Sequence, residues 1–198
     1  MSSYSKPDFW ALKAKREGFP ARSVYKLMEI DKKFGLIKPK ARVLDIGAAP
    51  GSWSIWVLQR LAGNGFLAAV DLQDLAERPA YDNFLFIRGD LYDAEVRSRL
   101  LEKGPYSLLL SDAAPGTTGS RFVDQSASEA IVEAVIDYAE SSLAPGGALV
   151  AKIFQGGAEA TLLKRLRGRF EKAKSFKPEA CRSESFETYL VATGFKRA

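Results

Sequence analysis

In the segment 43–53, a short apolar run is followed by two glycines, and the sequence after them has the pattern of a helix. This strand, glycine turn and helix constrain the fold strongly, because ligands of open α/β sheets bind at the carboxyl ends of strands, where glycines let the backbone approach them. The segment therefore predicts an α/β fold with a nucleotide-type site at Gly47, Pro50 and Gly51.

The spacing within this segment excludes two common nucleotide sites. A dinucleotide fingerprint needs G-x-G-x-x-G, whereas three residues separate Gly47 from Gly51 and Pro50 is one of them. A Walker loop needs a lysine after its last glycine, and here Ser52 and Trp53 follow Gly51. NAD is thus disfavoured, and ATP bound through a Walker loop is excluded.

Elsewhere short apolar runs alternate with amphipathic stretches, which predicts one alternating α/β domain over residues 1–198. The predicted strands are 42–46, 66–70, 84–87, 106–110, 148–154, 170–176 and 187–193. The predicted helices cover 22–34, 52–62, 93–103 and 158–167, and a further helix opens with a capping box at Ser126–Glu129 and ends at Pro145 and Gly146. A parallel pair needs a crossover of about a dozen residues, usually a helix. The connection between the last two strands is short and polar, so these strands are predicted to be antiparallel.

Composition excludes several classes of site. The chain has no histidine and one cysteine, Cys181, so thiol–histidine catalysis, an internal disulfide and a zinc cluster are not expected. No apolar run approaches the roughly 18 residues that span a bilayer, and the start of the chain is polar. We therefore expect a cytoplasmic protein that binds neither metal nor membrane.

Polar residues follow or open the predicted strands on one edge of the sheet. Asp71 closes the second strand, where an acid can accept hydrogen bonds from both hydroxyls of a bound ribose. Asp90 closes the third strand. Asp112 and Lys152 fall at the carboxyl ends of two consecutive strands, and Glu187 opens the reversed strand, so all three are expected at the same edge.

Lys152 stands out because its neighbours in sequence are Leu149, Val150, Ala151, Ile153 and Phe154. An unpaired ammonium would be costly to bury there. Lys152 is therefore either a structural residue, paired with Asp112 or reaching solvent at the strand end, or it is a reactive group. Since buried lysines near carboxylates are typical of perturbed catalytic groups, we favour the second interpretation.

Four ordered motifs spread over nearly the whole chain resemble the FtsJ/RrmJ family of ribosomal RNA large-subunit (23S) ribose 2'-O-methyltransferases. They are residues 45–53, 111–115, 152–156 and 187–194, and 22–26 resembles the family's N-terminal helix segment. The resemblance implies a Rossmann-like, seven-stranded methyltransferase sheet that is mostly parallel with one antiparallel edge strand. Two positions depart from the family pattern: Ser52 replaces a second glycine, and Gly116 stands where Asn often follows the Asp-x-Ala-Pro motif.

The resemblance also implies the cofactor, the site and the partner. S-adenosylmethionine would be bound by Gly51, Trp53, Asp71, Asp90 and Asp112, although Trp53 by position alone is more often a core residue. The catalytic tetrad would be Lys26, Asp112, Lys152 and Glu187, and only the resemblance singles out Lys26, since a lysine on a basic helix is usually solvated.

The distribution of charge favours RNA as the partner. Residues 1–42 hold 11 basic and 4 acidic side chains, and residues 160–182 hold 8 and 2, whereas residues 43–159 hold 8 basic and 16 acidic ones. The resemblance implies a uridine ribose in rRNA of the large ribosomal subunit as the methylated group, and with it we expect a monomer whose arm 1–41 contacts RNA. Candidate phosphate contacts are Lys13, Lys15, Arg16, Arg22, Lys32 and Lys33.

Three alternatives remain open at this point. A tRNA ribose methyltransferase would share the cofactor loop and the basic arm. A small-molecule methyltransferase would share the loop but would not need the basic arm. A non-catalytic RNA-binding protein of the same fold would not need Asp112, Lys152 and Glu187.

Overall fold

The computed structural model describes residues 9–182 and 185–197. The part of the predicted N-terminal arm that precedes Phe9 lies outside the described residues. In the described chain the helices are α1 (Phe9–Arg16), α2 (Val24–Phe34), α3 (Ser52–Leu61), α4 (Ala94–Leu101), α5 (Arg121–Ser142) and α6 (Ala158–Arg169). The strands are β1 (Arg42–Ile46), β2 (Phe66–Asp71), β3 (Phe84–Arg88), β4 (Tyr106–Ser111), β5 (Leu143–Phe154), β6 (Phe170–Phe176) and β7 (Glu187–Phe195).

The strands form one seven-stranded sheet in the order β3-β2-β1-β4-β5-β7-β6. Strands β1 to β5 pair in parallel, and β7 pairs antiparallel with both β5 and β6. The predicted mostly parallel sheet with antiparallel pairing at one end is confirmed. The reversed strand β7 is inserted beside β5, which leaves β6 as the outermost strand and brings the start of β7 to the carboxyl edge of the parallel strands.

Helices cover both faces of the sheet, which explains why the central strands read as continuous apolar runs. One core cluster joins the sheet to α4, α5 and α6, and the other joins it to α2 and α3. Helix α1 packs on a smaller cluster with α2, around Ala14, Phe19 and Tyr25. In the part of the chain that the structure describes, we find no helix with the length and apolarity that crossing a bilayer requires.

The start of α5 differs from the sequence prediction. The proposed capping box at Ser126–Glu129 is wrong, because the helix already begins at Arg121 and these residues lie inside it. Asp124, in the first turn of α5, fixes the loop before the helix, since its carboxylate accepts hydrogen bonds from the backbone N–H and the hydroxyl of Thr118, both at 2.8 Å. The predicted stop at Pro145 and Gly146 is also displaced, because the helix ends at Ser142 and both residues belong to β5.

Candidate active site

A cavity of about 530 Å³ opens at the carboxyl ends of β1, β2, β3 and β4. Its lining comes from the segments 46–50, 70–76, 89–92 and 112–114, with Ile131 of α5. This volume lies within the range typical of small-molecule sites. The cavity lies where the glycine turn and the strand-end acids were expected from sequence.

Gly47 has a structural reason to be glycine. Its φ is +76°, and a Cβ atom placed on it would lie 2.6 Å from the Cα of Ala113, in the loop after β4. Both conditions exclude a side chain, so the backbone of β1 reaches the cavity without obstruction. Pro50 also lines the cavity.

Two of the predicted acids are fixed by backbone amides at the cavity wall. The Asp71 carboxylate accepts hydrogen bonds from the N–H of Ala49 and of Gln73, both at 2.8 Å. Asp90 accepts one from the N–H of Tyr92 at 2.9 Å. Each carboxylate oxygen has more than one lone pair, so both acids retain acceptor capacity toward a ligand.

The cavity is negatively charged. Asp71, Asp74, Asp90 and Asp112 line it, and the lining contains no lysine or arginine. Asp74 is ion-paired with Arg88, but both side chains are largely exposed, so the pair is weak. A cavity of this kind favours a cationic ligand over a phosphate.

Gly51 and Trp53, which sequence placed beside the cofactor, are not part of the cavity lining. Trp53 is only 2% exposed and packs on Tyr189 with a ring separation of 5.8 Å. Its indole N–H donates to the carbonyl of Ser23 at 2.8 Å, just before α2. The structure therefore places Trp53 in the core, where it ties α3 to the start of α2.

Lys152 is held by Asp112 at the rim of the cavity. Its Nζ donates to the Asp112 carbonyl at 2.5 Å and lies 3.1 Å from Oδ1 of the same residue. Tyr189 donates its hydroxyl to that Oδ1 at 2.7 Å. Burial, and then the adjacent Asp112, raise the pKa of Tyr189 well above its ordinary value, so it stays a donor.

Lys26 and Glu187 form a second ion pair, with 2.5 Å between Nζ and Oε1. A cation in the first turn of a helix is unfavourable with the helix dipole, and Glu187 compensates for it. Burial raises the pKa of Glu187, but the hydrogen bond and the charge of Lys26 outweigh this effect, so the net pKa lies below the ordinary value. Glu187 is therefore ionised at neutral pH.

The two pairs lie on one face of the sheet. In the β5–β7 register Lys152 is opposite Tyr189 and Phe154 is opposite Glu187, so Lys152 and Glu187 are diagonal neighbours. Such neighbours have Cβ atoms about 7–8 Å apart, and Lys152 contributes to the lowered pKa of Glu187. The structure thus brings Lys26, Asp112, Lys152 and Glu187 together.

Two neighbours of these pairs were missed by sequence reasoning. Tyr189 reads as an ordinary strand residue, although its position two residues after Glu187 signals the same face. Cys181 was noted only as the lone cysteine, yet its thiol is hydrogen-bonded to Glu187, and burial, followed by that carboxylate, raises the pKa of Cys181 to about 12. It is a neutral neighbour of the pair.

Comparison with known proteins decides the family. The family model of the FtsJ-like methyltransferases matches residues 19–195. The chain belongs to this family. The resemblance inferred from the four motifs is confirmed, and this FtsJ-like chain is a methyltransferase.

The relatives of this FtsJ-like methyltransferase match it over its full length. It is 50% identical over 196 residues to the ribosomal RNA large subunit methyltransferase E of Treponema denticola, with 98% of both chains covered. A crystal structure from Plasmodium falciparum, described as a ribosomal RNA methyltransferase, is 26% identical, with a TM-score of 0.79 over 91% of this chain and all of that chain.

A more distant structure shares the fold alone. Human methyltransferase-like protein 13, in complex with SAH, is 16% identical, with a TM-score of 0.55 over 86% of this chain and 78% of that chain.

Of the predicted phosphate contacts of this FtsJ-like chain, two side chains contact other parts of the protein and four are exposed. Arg22 has a structural role, since its guanidinium donates to the carbonyl of Ala180 at 2.5 Å. Lys13 lies over the rings of Trp10 and Tyr25. Exposed side chains on the same helices are those of Lys15, Arg16, Lys32 and Lys33.

Proposed function

We propose that this methyltransferase transfers a methyl group from S-adenosylmethionine to a ribose 2'-hydroxyl in large-subunit rRNA. One observation carries the proposal: Asp112 belongs both to the acidic cavity and to the ion pair with Lys152. The site that would hold the methyl donor therefore adjoins a lysine positioned to act on a hydroxyl. The family and the names of its relatives agree with this reaction.

The residues of the cavity fit S-adenosylmethionine. Its sulfonium and ammonium groups outweigh its carboxylate, so the molecule is a cation, and the cavity offers carboxylates without a basic side chain. Gly47 leaves backbone space at the carboxyl end of β1, and Asp71 and Asp90 keep acceptors for hydroxyl and amino groups. When bound, this cofactor supplies an electrophilic methyl group.

Lys152 would act on the ribose hydroxyl. Its ammonium has three N–H donors, and two of them are directed at the carbonyl and the carboxylate of Asp112. The third is available to the 2'-oxygen, where it stabilises the negative charge that develops as the hydroxyl proton passes to water and the oxygen bonds to the methyl group released from the sulfonium. Asp112 and Tyr189 fix the position of the amine, so little reorganisation is needed.

The Lys26–Glu187 pair would set the field around that amine. With Glu187 ionised, the two pairs are neutral overall, so the cluster can be buried to the observed degree. Because Glu187 is diagonal to Lys152 on the same face, its carboxylate lies near the ammonium that would contact the 2'-oxygen.

RNA as the substrate is supported by charge. In the sequence, the basic stretches 1–41 and 160–182 flank the acidic stretch that contributes the cavity, as expected for a protein that binds both a phosphate backbone and a cationic cofactor. We propose that residues 1–198 act as a single methyltransferase domain, with α1 and α2 contributing contacts to RNA.

The test uses purified protein, S-adenosylmethionine with an isotopically labelled methyl group, and large ribosomal subunits from cells that lack the gene. We expect label in rRNA at one nucleotide whose 3'-phosphodiester resists alkali, as 2'-O-methylation requires. Lys152→Ala should abolish this incorporation, whereas Lys103→Ala, which changes an exposed lysine after α4, should not. Incorporation into tRNA alone would refute the substrate, and label on a base would refute the reaction.

A further inference from the structure

A cluster of aromatic rings lies beside the two ion pairs. The rings of Phe154 and Phe186 meet edge to face with 4.8 Å between centroids, and the Arg121 guanidinium lies 5.6 Å from the Phe186 ring. Phe154 ends β5 and Phe186 directly precedes Glu187. Neither ring belongs to the four core clusters of the described residues, so packing alone does not account for them.

Phe122 follows Arg121 in the first turn of α5 and offers a further aromatic ring near the start of that helix. Its side chain is 77% exposed, which is unusual for phenylalanine. The start of α5 is anchored, because the Gln125 amide donates to the carbonyl of Gln155 and Ser128 accepts from the N–H of Phe154 at 3.1 Å. Arg121 and Phe122 are therefore presented from a fixed element at the end of β5.

The cluster is close to the reacting position. Phe154 is two residues beyond Lys152 on the same face of β5, about 7 Å along the strand, and it is opposite Glu187. Successive bases of a stacked strand are about 3.4 Å apart. A base seated on these rings would thus lie within about two nucleotides of a ribose at Lys152.

We propose that Arg121, Phe122, Phe154 and Phe186 form a binding site for an unpaired RNA base next to the methylated ribose. The inference rests on the proposed RNA ribose methylation. Aromatic faces and the planar guanidinium of arginine are the groups on which proteins stack unpaired bases, and the arginine also attracts the adjoining phosphate. The acidic cavity repels phosphate, so the strand is drawn to this side of the ion pairs.

Phe122→Ala and Phe186→Leu test the site, with Tyr81→Ala as control, because Tyr81 is exposed and precedes β3 at the far end of the sheet. RNA fragments spanning the methylated nucleotide are prepared with single abasic positions on either side. We expect KM for intact RNA to rise roughly 5- to 20-fold in each variant, with unchanged affinity for S-adenosylmethionine. The KM of the wild-type protein should rise by the same factor when the RNA carries the abasic site at one particular position. With that abasic RNA, the KM of Phe122→Ala should rise no further.

Three outcomes decide between the claims. If wild type methylates the RNA and both variants match Tyr81→Ala, the base site is refuted and the proposed function stands. If the rise in KM caused by the variant multiplies the rise caused by the abasic position, the rings contact something other than that base. This outcome also overturns the inference. If wild type methylates no RNA, the proposed function fails and the base site fails with it. Phe122 is exposed, so its replacement remains informative even if Phe186→Leu unfolds.

Discussion

Lys152 is almost enclosed, with 11% of its side chain exposed, in a strand of apolar residues. Its two contacts with Asp112 and the Tyr189 hydroxyl on the same carboxylate leave one N–H direction open. This arrangement was partly predictable, because a lysine within an apolar run next to a strand-end aspartate signals a paired group. The ion pair between Lys26 and Glu187 was not predictable from spacing, because 160 residues lie between them in the sequence. Only the strand order of the sheet brings them together.

Replacing Lys152 with alanine removes the only group we assign to the hydroxyl. We expect kcat for RNA methylation to fall at least 100-fold, while the dissociation constant for S-adenosylmethionine, measured by calorimetry, changes less than threefold. Lys103→Ala, outside both basic stretches, serves as the control and should match wild type. Near-normal methylation by a folded Lys152→Ala protein would rule out the assigned role.

Asp45 is a buried acid beneath the cavity. One carboxylate oxygen accepts from the Ser54 hydroxyl at 2.7 Å, and the other has no hydrogen-bond partner among the described residues. Burial raises the pKa of Asp45 to about 7, and the Ser54 hydrogen bond offsets only part of that rise. Between about 4, the pKa of an unfolded aspartate, and 7, the folded chain binds this proton more tightly than the unfolded chain does.

The free energy of unfolding should therefore decrease as pH rises from 4 to 7 and stay lower above it. Asp45→Asn removes this contribution, so the variant should gain about 4 kcal/mol relative to wild type between pH 4 and pH 8. Urea unfolding across this range measures the difference. Asp82→Asn, an exposed acid, should follow the wild-type curve, and parallel curves for Asp45→Asn would contradict the burial account.

Among the elements, the connection from β1 to α3 explains why the cavity exists. The chain leaves β1 at Gly47 with a positive φ and enters α3 after Gly51, whose φ is +114°. The loop after β4 then packs against Gly47. Strand, glycine turn and helix were predictable here because local sequence alone determines them.

Gly47→Ala should damage this connection. The new methyl group would be strained at a φ of +76° and would collide with Ala113 at 2.6 Å. We expect about 2 kcal/mol or more of destabilisation and at least tenfold weaker binding of S-adenosylmethionine, measured by thermal unfolding and calorimetry. Gly157→Ala, with ordinary φ and open space, should leave both quantities within error. Equal behaviour of the two variants would contradict the account.

Other elements were less predictable because tertiary contacts decide them. Helix α1 was not predicted, since its short sequence is stabilised by packing of Ala14 and Trp10 on α2 rather than by local pattern. The start of α5 was misplaced because Ser126 and Glu129 imitate a capping box while Asp124 binds Thr118. Trp53 was assigned to the cofactor by motif, and its contact with Ser23 became apparent only from the fold.

At the scale of the whole molecule, two basic stretches of sequence, 1–42 and 160–182, flank an acidic stretch that contributes the cavity. Under the proposed function, this division would let one chain attract both an RNA backbone and a cationic cofactor. The pattern was visible in the sequence, but the position of each lysine relative to the site required the structure.

RNA affinity should therefore depend steeply on salt, with a slope in a plot of log affinity against log salt of about 0.7 to 0.9 per phosphate contact. Replacing Lys32 and Lys33 together with alanine should reduce that slope by about 1 to 2. Fluorescence anisotropy with labelled rRNA fragments measures it. Lys103→Ala, which changes an exposed lysine after α4, is the control, and a weak salt dependence of the wild-type protein would instead favour a small-molecule substrate.

The chemical position of the transferred methyl group tests the central claim most directly. Large-subunit rRNA methylated by the purified protein is digested to nucleosides and analysed by mass spectrometry. We predict a single 2'-O-methylated nucleoside, with the added mass on the ribose fragment, and none after reaction with Lys152→Ala. A methyl group on the base fragment, or equal yields from both proteins, would contradict the account.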